Sequence, residues 1–225
     1  MSIGLFNESG LHGDLKRYIE PDERYHELEY KGYIVDILSQ DGVTEIQTAS
    51  FGSIKKKLAD LLCHTKVTVA YPVMAVKRIY WQDPDTGEMT GGRLSSKKAT
   101  LCDVFRELRW IKGLVAHEHL RLRIIPVEAE FYNRLNGYGK DRKKRASRID
   151  KTLIKVIDDM ILFPKEELHR LLPLTLPEEF TSKDLAKEGK ISQSVASYAM
   201  KTLCDLSLAE HVSNRGRMYV YRVKK

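Results

Sequence analysis

The sequence predicts an α/β protein in which a mixed sheet, flanked by helices, is followed by a small domain of helices and a hairpin. Short β-branched runs alternate with segments of helical apolar spacing through residues 1–135, which is typical of an α/β domain. Residues 136–148 are strongly basic and predict a linker, and capping and turn signals dominate residues 149–225. We therefore expect two domains joined by a basic linker.

A helix and a pair of strands are expected first. Leu11, Leu15 and Ile19 recur at helical spacing and predict an amphipathic helix. The segment Tyr25–Leu38 is rich in Tyr, Ile, Val and Leu, and Gly32 lies in its middle. A glycine inside such a run predicts a bent strand or a tight pair of strands.

The next elements predict a parallel crossover. Val43–Thr48 has the composition of a strand, the apolar stripe of Phe51–Leu62 predicts a helix, and Lys66–Tyr71 predicts another strand. Because a helix separates the two strands, we expect them to pair in parallel.

A hairpin, a helix and a strand complete the predicted first domain. Val76–Trp81 and Met89–Leu94 flank a turn-rich segment and therefore predict a hairpin. A helix is expected near Leu101–Leu108 and a strand near Leu120–Val127.

The C-terminal part is predicted to contain three helices and a hairpin. Apolar spacing over Leu153–Ile161 predicts an opening helix. Thr181–Asp184 has the form of a capping box, which predicts a short helix, and Ser192 begins a second helix. Ala209–Ser213 and Met218–Val223 alternate like strands and predict a hairpin.

Composition and charge restrict the classes of function. The formal net charge of +7 and the pI of about 9.2 favour a polyanionic partner, with nucleic acid ahead of a membrane surface. No apolar run approaches the roughly 18 residues that cross a bilayer, and Met1–Gly10 lacks the pattern of a signal peptide. Cys63, Cys102 and Cys204 fit neither a disulfide framework nor a paired-thiolate zinc site. We therefore expect a cytoplasmic protein that has reduced thiols and no membrane partner.

Three acidic residues are expected to meet beside the first strands. Alternation along the second predicted strand places Glu45 and Gln47 on one face. Asp36 lies in an apolar run whose burial makes an ionised carboxylate costly without a partner. Glu8 lies three residues before Leu11 and so shares the helical face that turns toward the sheet.

Carboxylates gathered in this way favour a hard divalent cation. Glu8, Asp36 and Glu45 would form a site for Mg²⁺ or Mn²⁺ with open positions for a phosphate oxygen and a water. Such a cation neutralises charge on a scissile phosphate and lowers the pKa of the attacking water. The predicted chemistry is phosphodiester hydrolysis.

The order of these residues resembles the PD-(D/E)xK nuclease superfamily, the fold of many restriction enzymes and of archaeal Holliday-junction resolvases. Asp36 matches the family Asp, Glu45 the family Glu, and Glu8 the helix acid of the resolvase-like branch. The chain further resembles a bacterial and archaeal group built around Tyr33–Ile37 and Glu45–Thr48. The resemblance implies a restriction-endonuclease-like mixed sheet flanked by helices, with these acids as metal ligands.

One position departs from the family pattern. Gln47 stands where the family has its lysine, and its amide can orient a water or a phosphate oxygen but carries no charge. Lys55 or Lys57 on the following helix could supply the missing charge. The resemblance thus implies catalytic roles for Asp36, Glu45, Gln47 and one or both lysines. Loss of activity with retention of the fold is the alternative.

The C-terminal order of helix, turn, helix and basic hairpin resembles the winged-helix family over roughly residues 149–225. This resemblance implies that the second helix lies in a major groove and that the hairpin is the wing. The polar helix face, the hairpin turn and the basic linker supply the expected DNA-binding residues, which are Gln193, Ser194, Ser197, Tyr198, Lys201, Arg215, Arg217, Lys143, Lys144 and Arg145. A winged helix used for protein contacts or dimerisation is the alternative.

Together these features predict a Mg²⁺- or Mn²⁺-dependent DNA endonuclease that binds DNA through a winged-helix domain. A DNA-binding regulator or adaptor with a silent nuclease core is the first alternative, and a protein-interaction scaffold is the second. Because cutting both strands requires two active centres, a homodimer is expected.

Overall fold

A computed structural model describes residues 10–138 and 144–224. The helices are α1 (Gly10–Ile19), α2 (Lys55–Leu62), α3 (Val104–Leu108), α4 (Pro164–Glu167), α5 (Ser182–Glu188) and α6 (Gln193–Asp205). The strands are β1 (His26–Tyr30), β2 (Tyr33–Ser39), β3 (Gly42–Ile46), β4 (Val67–Gln82), β5 (Met89–Leu94), β6 (Leu120–Tyr138), β7 (Lys144–Val156), β8 (Met160–Leu162), β9 (Glu179–Thr181), β10 (Ala209–Arg215) and β11 (Met218–Val223). Within these ranges, no helix is long and apolar enough to span a membrane.

Within the described residues, eight strands form one mixed sheet in the order β1-β2-β3-β4-β6-β7, with β5 paired to β4 and β8 paired to β6. β3 pairs with β4 in parallel, and α2 lies between them in sequence, which confirms the predicted crossover. β4 also pairs with β6 in parallel, whereas β6 and β7 are antiparallel. The chain is thus a mixed α/β protein, as predicted.

Several local predictions are also confirmed. β1 and β2 are a tight antiparallel pair whose turn contains Gly32 at a φ of +78°. β4 and β5 form the predicted hairpin. The capping box of α5 is present, because Thr181 Oγ1 accepts the Asp184 N–H at 3.3 Å and Asp184 Oδ2 accepts the Thr181 N–H at 2.8 Å.

The helices bury two apolar clusters against the sheet. Leu11 and Leu15 of α1 pack with residues of β2 and β3 in one cluster. The larger cluster joins Leu58 of α2, Phe105 of α3 and Leu203 of α6. Burial of apolar surface is the main favourable term in folding. Because α6 shares this cluster with α2 and α3, the C-terminal segment packs directly on the α/β part.

The C-terminal segment contains a second, smaller sheet. Its strands lie in the order β10-β11-β9 and are antiparallel. α5 and α6 lie between β9 and β10 in sequence. α6 begins after Ser192, whose hydroxyl accepts the Val195 N–H at 3.4 Å, and β10 and β11 form the predicted hairpin.

The predicted helix over Leu153–Ile161 is wrong. These residues form the end of β7, a short connection and β8, and β7 pairs with β6 as far as Val127 and Val156. A strand as long as β6 presents a row of backbone donors and acceptors that must be paired, and β7 pairs with them. The apolar residues of this segment are also compatible with a strand, because neighbouring side chains point to opposite faces. Leu153 packs on the cluster that contains Leu11 and Leu15, whereas Ile154 is exposed.

The interpretation of residues 136–148 as a linker is also wrong where the structure describes them. The two ends of this segment continue β6 and β7, and Tyr138 pairs with Lys144. Lys143 lies outside the described residues, as do the side chains of Lys144 and Arg145. The predicted start of the second domain, residue 149, therefore lies within β7 of the larger sheet.

A glycine turn connects the two strands that carry the candidate acids. Gly42 has a φ of +113°, and a Cβ at this position would lie 2.3 Å from the carbonyl oxygen of Lys66. The Val43 N–H donates to the same carbonyl oxygen at 3.0 Å, so this close approach is part of the pairing between β3 and β4. Glycine is therefore required here for both its conformation and its lack of a side chain.

Candidate active site

The candidate site lies where β2 and β3 separate. Their paired residues run to Ile37 and Thr44. Beyond this pair, Asp36 Oδ2 accepts the Ile46 N–H at 2.6 Å, in the place of a backbone carbonyl. The carboxylate of Asp36 therefore bridges the two strands at the point where Glu45 is buried.

Glu45 is 2% exposed and pairs with a lysine from α2. Lys57 Nζ lies 2.6 Å from Glu45 Oε1 and donates to the carbonyl oxygen of Ile34 at 2.6 Å. This ammonium–carboxylate contact is an ion pair. A buried carboxylate requires such a cation. Of the two lysines expected to supply charge, Lys57 reaches the site and Lys55 is exposed.

A histidine that no sequence motif indicates joins this cluster. His12 in α1 has its Nε2 atom 3.3 Å from Asp36 Oδ2. The sequence holds only a spacing that could have pointed to it, since His12 lies four residues after Glu8 and this separation is typical of one face of a helix. Glu8 itself lies outside the described residues. The described cluster thus consists of His12, Asp36, Glu45 and Lys57.

The two carboxyl groups of the cluster have pKa values shifted in opposite directions. Burial raises the pKa of Asp36, but hydrogen bonds from His12 and the Ile46 N–H outweigh it, so the pKa lies below the ordinary value. Burial also raises the pKa of Glu45, and although Lys57 opposes this effect, the negative charge of Asp36 adds to it, so that pKa lies above the ordinary value. As the pH falls, Glu45 is therefore protonated before Asp36.

The donor atoms of this cluster suit a hard divalent cation. Carboxylates are preferred ligands of Mg²⁺ and Mn²⁺, and an imidazole is a further ligand for a transition metal. The negative charges of Asp36 and Glu45 repel each other, and a bound cation would relieve this repulsion. In residues 10–138 and 144–224, no group of three His, Cys, Asp or Glu side chains is placed to hold a metal ion. Glu8, the third predicted ligand, lies outside these ranges.

Gln47 follows β3 directly and is half-buried. Its Oε1 atom accepts the Ser53 hydroxyl at 3.3 Å, and its backbone N–H donates to the carbonyl oxygen of Ala70 at 2.8 Å. These bonds hold Gln47 just beyond the end of β3, the strand that carries Glu45.

The polar face predicted for α6 is present in part. The exposed members of this face are Gln193, Ser194, Ser197 and Lys201. The outward position predicted for Tyr198 is wrong, because its ring packs against the larger cluster. Among the described residues, its hydroxyl is buried without a hydrogen-bond partner. Tyr198 lies three residues after buried Val195 and four before buried Thr202, so the helical rotation turns it toward the core.

Two exposed arginines lie at the turn between β10 and β11. Arg215 and Arg217 flank Gly216, which has a φ of +64°. Arg215 Nη1 lies 3.7 Å from Asp184 Oδ2, the acid of the α5 capping box. The turn therefore presents positive charge next to the start of α5.

Comparisons with known proteins cover both parts of the chain. Residues 9–163 match the model of a domain of unknown function, DUF8091. An uncharacterised protein of Treponema pallidum (strain Nichols) is 33% identical over 223 residues, which are 99% of this chain and 88% of that protein. No solved structure matches the chain. The family match contains the whole described cluster, and the similarity to the Treponema protein extends over the C-terminal segment.

Proposed function

The chain belongs to the DUF8091 family, and we propose that it is a metal-dependent endonuclease that hydrolyses phosphodiester bonds in DNA. The observation that carries the proposal is the meeting of Asp36, Glu45 and Lys57 where β2 and β3 separate. Two carboxylates beside an ammonium group suit the hydrolysis of a phosphodiester with a divalent cation.

The order of the elements supports the resemblance to PD-(D/E)xK nucleases. α1 precedes β2 with Asp36, a tight turn leads to β3 with Glu45, and α2 follows with Lys57. This is the succession of helix, Asp strand, turn, Glu strand and amphipathic helix on which the resemblance rests.

The residues of the cluster would have distinct roles. Asp36 and Glu45 would hold Mg²⁺ or Mn²⁺, which when bound polarises a phosphate oxygen and lowers the pKa of a water. The lowered pKa of Asp36 keeps this carboxylate ionised and ready for a cation. Gln47 would orient the water or a phosphate oxygen through its amide.

Lys57 supplies the charge that Gln47 lacks at the family lysine position. It comes from α2 rather than β3, yet its Nζ atom reaches Glu45 Oε1 at 2.6 Å. With a cation on the carboxylates, the ammonium of Lys57 would stabilise negative charge that develops on the phosphate.

The C-terminal segment supports DNA as the substrate. β9, α5, α6 and the β10–β11 hairpin follow an order typical of winged-helix domains. The exposed residues of α6 would contact base edges, and Arg215 and Arg217 would contact phosphates. The net charge of +7 favours binding to such a polyanion.

A second candidate is DNA binding without cleavage, and one observation favours it. Glu45 is already paired with Lys57, and Asp36 already accepts from Ile46 and contacts His12. A cluster in which internal cations and donors satisfy both carboxylates can persist as a structural remnant. The two candidates differ in whether a divalent cation displaces Lys57 from Glu45.

Incubation of the wild-type protein with labelled linear duplex, branched and single-stranded DNA tests the proposal. We expect nicking of one or more of these substrates with Mg²⁺ or Mn²⁺ and none in the presence of EDTA. If neither cation supports cleavage of any of the three, the proposal is wrong. Salt-dependent binding without cleavage would then favour the second candidate.

A further inference from the structure

A strongly basic cavity lies between the larger sheet and the C-terminal segment. Its volume of about 700 Å³ is within the range of roughly 300–1,000 Å³ that small-molecule sites occupy. Among the residues that the structure describes, one acid lines it, Asp103, and this acid pairs with Arg106 at 3.0 Å. The basic residues that line it are Lys77, Lys97, Lys98, Arg106, Arg148, Lys151 and Lys190.

Lys151 is buried in the wall of this cavity and makes no salt bridge with the described residues. Only 8% of it is exposed, and its Nζ atom donates to the carbonyl oxygen of Thr48 at 3.4 Å. The adjacent Asp150 is turned toward α1, where its Oδ1 atom accepts the Gly10 N–H at 3.1 Å. A buried ammonium is costly unless it is paired, so Lys151 indicates an anion that enters the cavity.

Two further cations of the cavity share one aromatic ring. Lys77 Nζ lies 4.0 Å from the centre of the Phe131 ring, and the Arg148 guanidinium carbon lies 5.3 Å from it. These cation–π contacts hold both side chains at the cavity. Burial lowers the pKa of Lys77 and of Lys151, and the charge of Arg148 lowers both further, whereas the charge of Asp150 opposes the shift for Lys151. The protein alone therefore carries a repulsion that a bound anion would relieve.

The remaining lining suits a small, highly charged anion. Ser95 and Ser96 add hydroxyl groups to the wall. The Ser95 N–H donates to the carbonyl oxygen of Lys77 at 2.8 Å, which ties this loop to β4. Ammonium, guanidinium and hydroxyl groups together are the side-chain groups that recognise phosphate oxygens.

We propose that this cavity binds a phosphomonoester dianion, with Lys77, Arg148 and Lys151 as its principal ligands. A nucleotide and the phosphorylated end of a nucleic-acid strand both present this group. The proposal is independent of the proposed nuclease activity, because binding is measured in EDTA without cleavage.

Calorimetric titration of the full chain in EDTA distinguishes the two sources. One pair of probes is adenosine 5′-monophosphate and adenosine, and the other is a 5′-phosphorylated and a 5′-hydroxyl oligonucleotide of one sequence. We expect the phosphorylated member of at least one pair to bind about tenfold more tightly or better. The pair that shows this preference identifies the source, and equal affinities within both pairs would overturn the proposal.

Variants of the cavity give the second arm of the test. Lys151→Met and Arg148→Gln are each expected to reduce the preference for the phosphorylated probe by about tenfold. Lys112→Met removes one positive charge from an exposed position outside the cavity lining and should leave the preference unchanged.

Thermal unfolding of the same variants separates a binding role from a structural one. Lys151→Met should not lower the Tm, because it removes a buried charge that makes no salt bridge with the described residues. Arg148 is exposed, so Arg148→Gln provides the test if Lys151→Met does not fold. An unchanged preference in the folded variants would contradict the assignment.

Discussion

Replacing Asp36 by asparagine is expected to reduce Mg²⁺-dependent DNA cleavage by roughly a hundredfold or more. The amide oxygen of asparagine can still accept the Ile46 N–H, so the link between β2 and β3 is retained. The substitution removes the negative charge that would hold a cation. Glu45→Gln is expected to have a similar effect on cleavage, with some loss of stability because Lys57 then lacks its counter-ion.

Rates of cleavage by purified variants at saturating Mg²⁺ measure this effect. Glu29→Gln, at an exposed position of β1, removes an equal charge and should cleave like the wild type. Thermal unfolding shows which variants are folded. A folded Asp36→Asn variant that cleaves at the wild-type rate would exclude a role for this carboxylate in the reaction.

Gly42→Ala is expected to lower the free energy of unfolding by about 3 kcal/mol or more. The φ of +113° at Gly42 is unfavourable for alanine, and the added Cβ would lie 2.3 Å from the Lys66 carbonyl oxygen. That oxygen accepts the Val43 N–H, so the clash cannot be relieved without disturbing the pairing of β3 with β4. The strand that would shift is the one that carries Glu45.

Gly32→Ala is the matched control for this substitution. Gly32 also has a positive φ, of +78°, but a Cβ there would have no heavy atom within 4 Å. Gly32→Ala should therefore lower the free energy of unfolding by only about 1–2 kcal/mol, which is the conformational part of the penalty. Urea denaturation of both variants compares the two costs, and equal losses would mean that the contact with Lys66 has no energetic weight.

Much of the fold is predictable because it depends on neighbouring residues. The apolar stripes of α1 and α2 and the alternation in β3 are local patterns, and the crossover follows from their order. The strand β7 is different, because the spacing of Leu153–Ile161 also fits a helix. The segment forms a strand because it pairs with the long edge of β6. The local sequence does not reveal that this edge is available for pairing.

The candidate site is predictable to a similar extent. Alternation and order indicate Asp36 and Glu45, but consecutive lysines at 55–57 do not reveal which one faces the sheet. His12 belongs to no motif and depends on how α1 packs against β2. The basic cavity collects side chains from β4, the loop at 95–98, β7 and Lys190, which are far apart in sequence. Only the folded chain brings them together.

A crystal of the protein soaked in Mn²⁺ tests most directly whether the acidic cluster binds a divalent cation. We expect an anomalous-difference peak at the carboxylates of Asp36 and Glu45, with Lys57 Nζ displaced from its 2.6 Å contact with Glu45 Oε1. A crystal in which Lys57 remains paired with Glu45 and no peak lies at these carboxylates would contradict the proposed active centre.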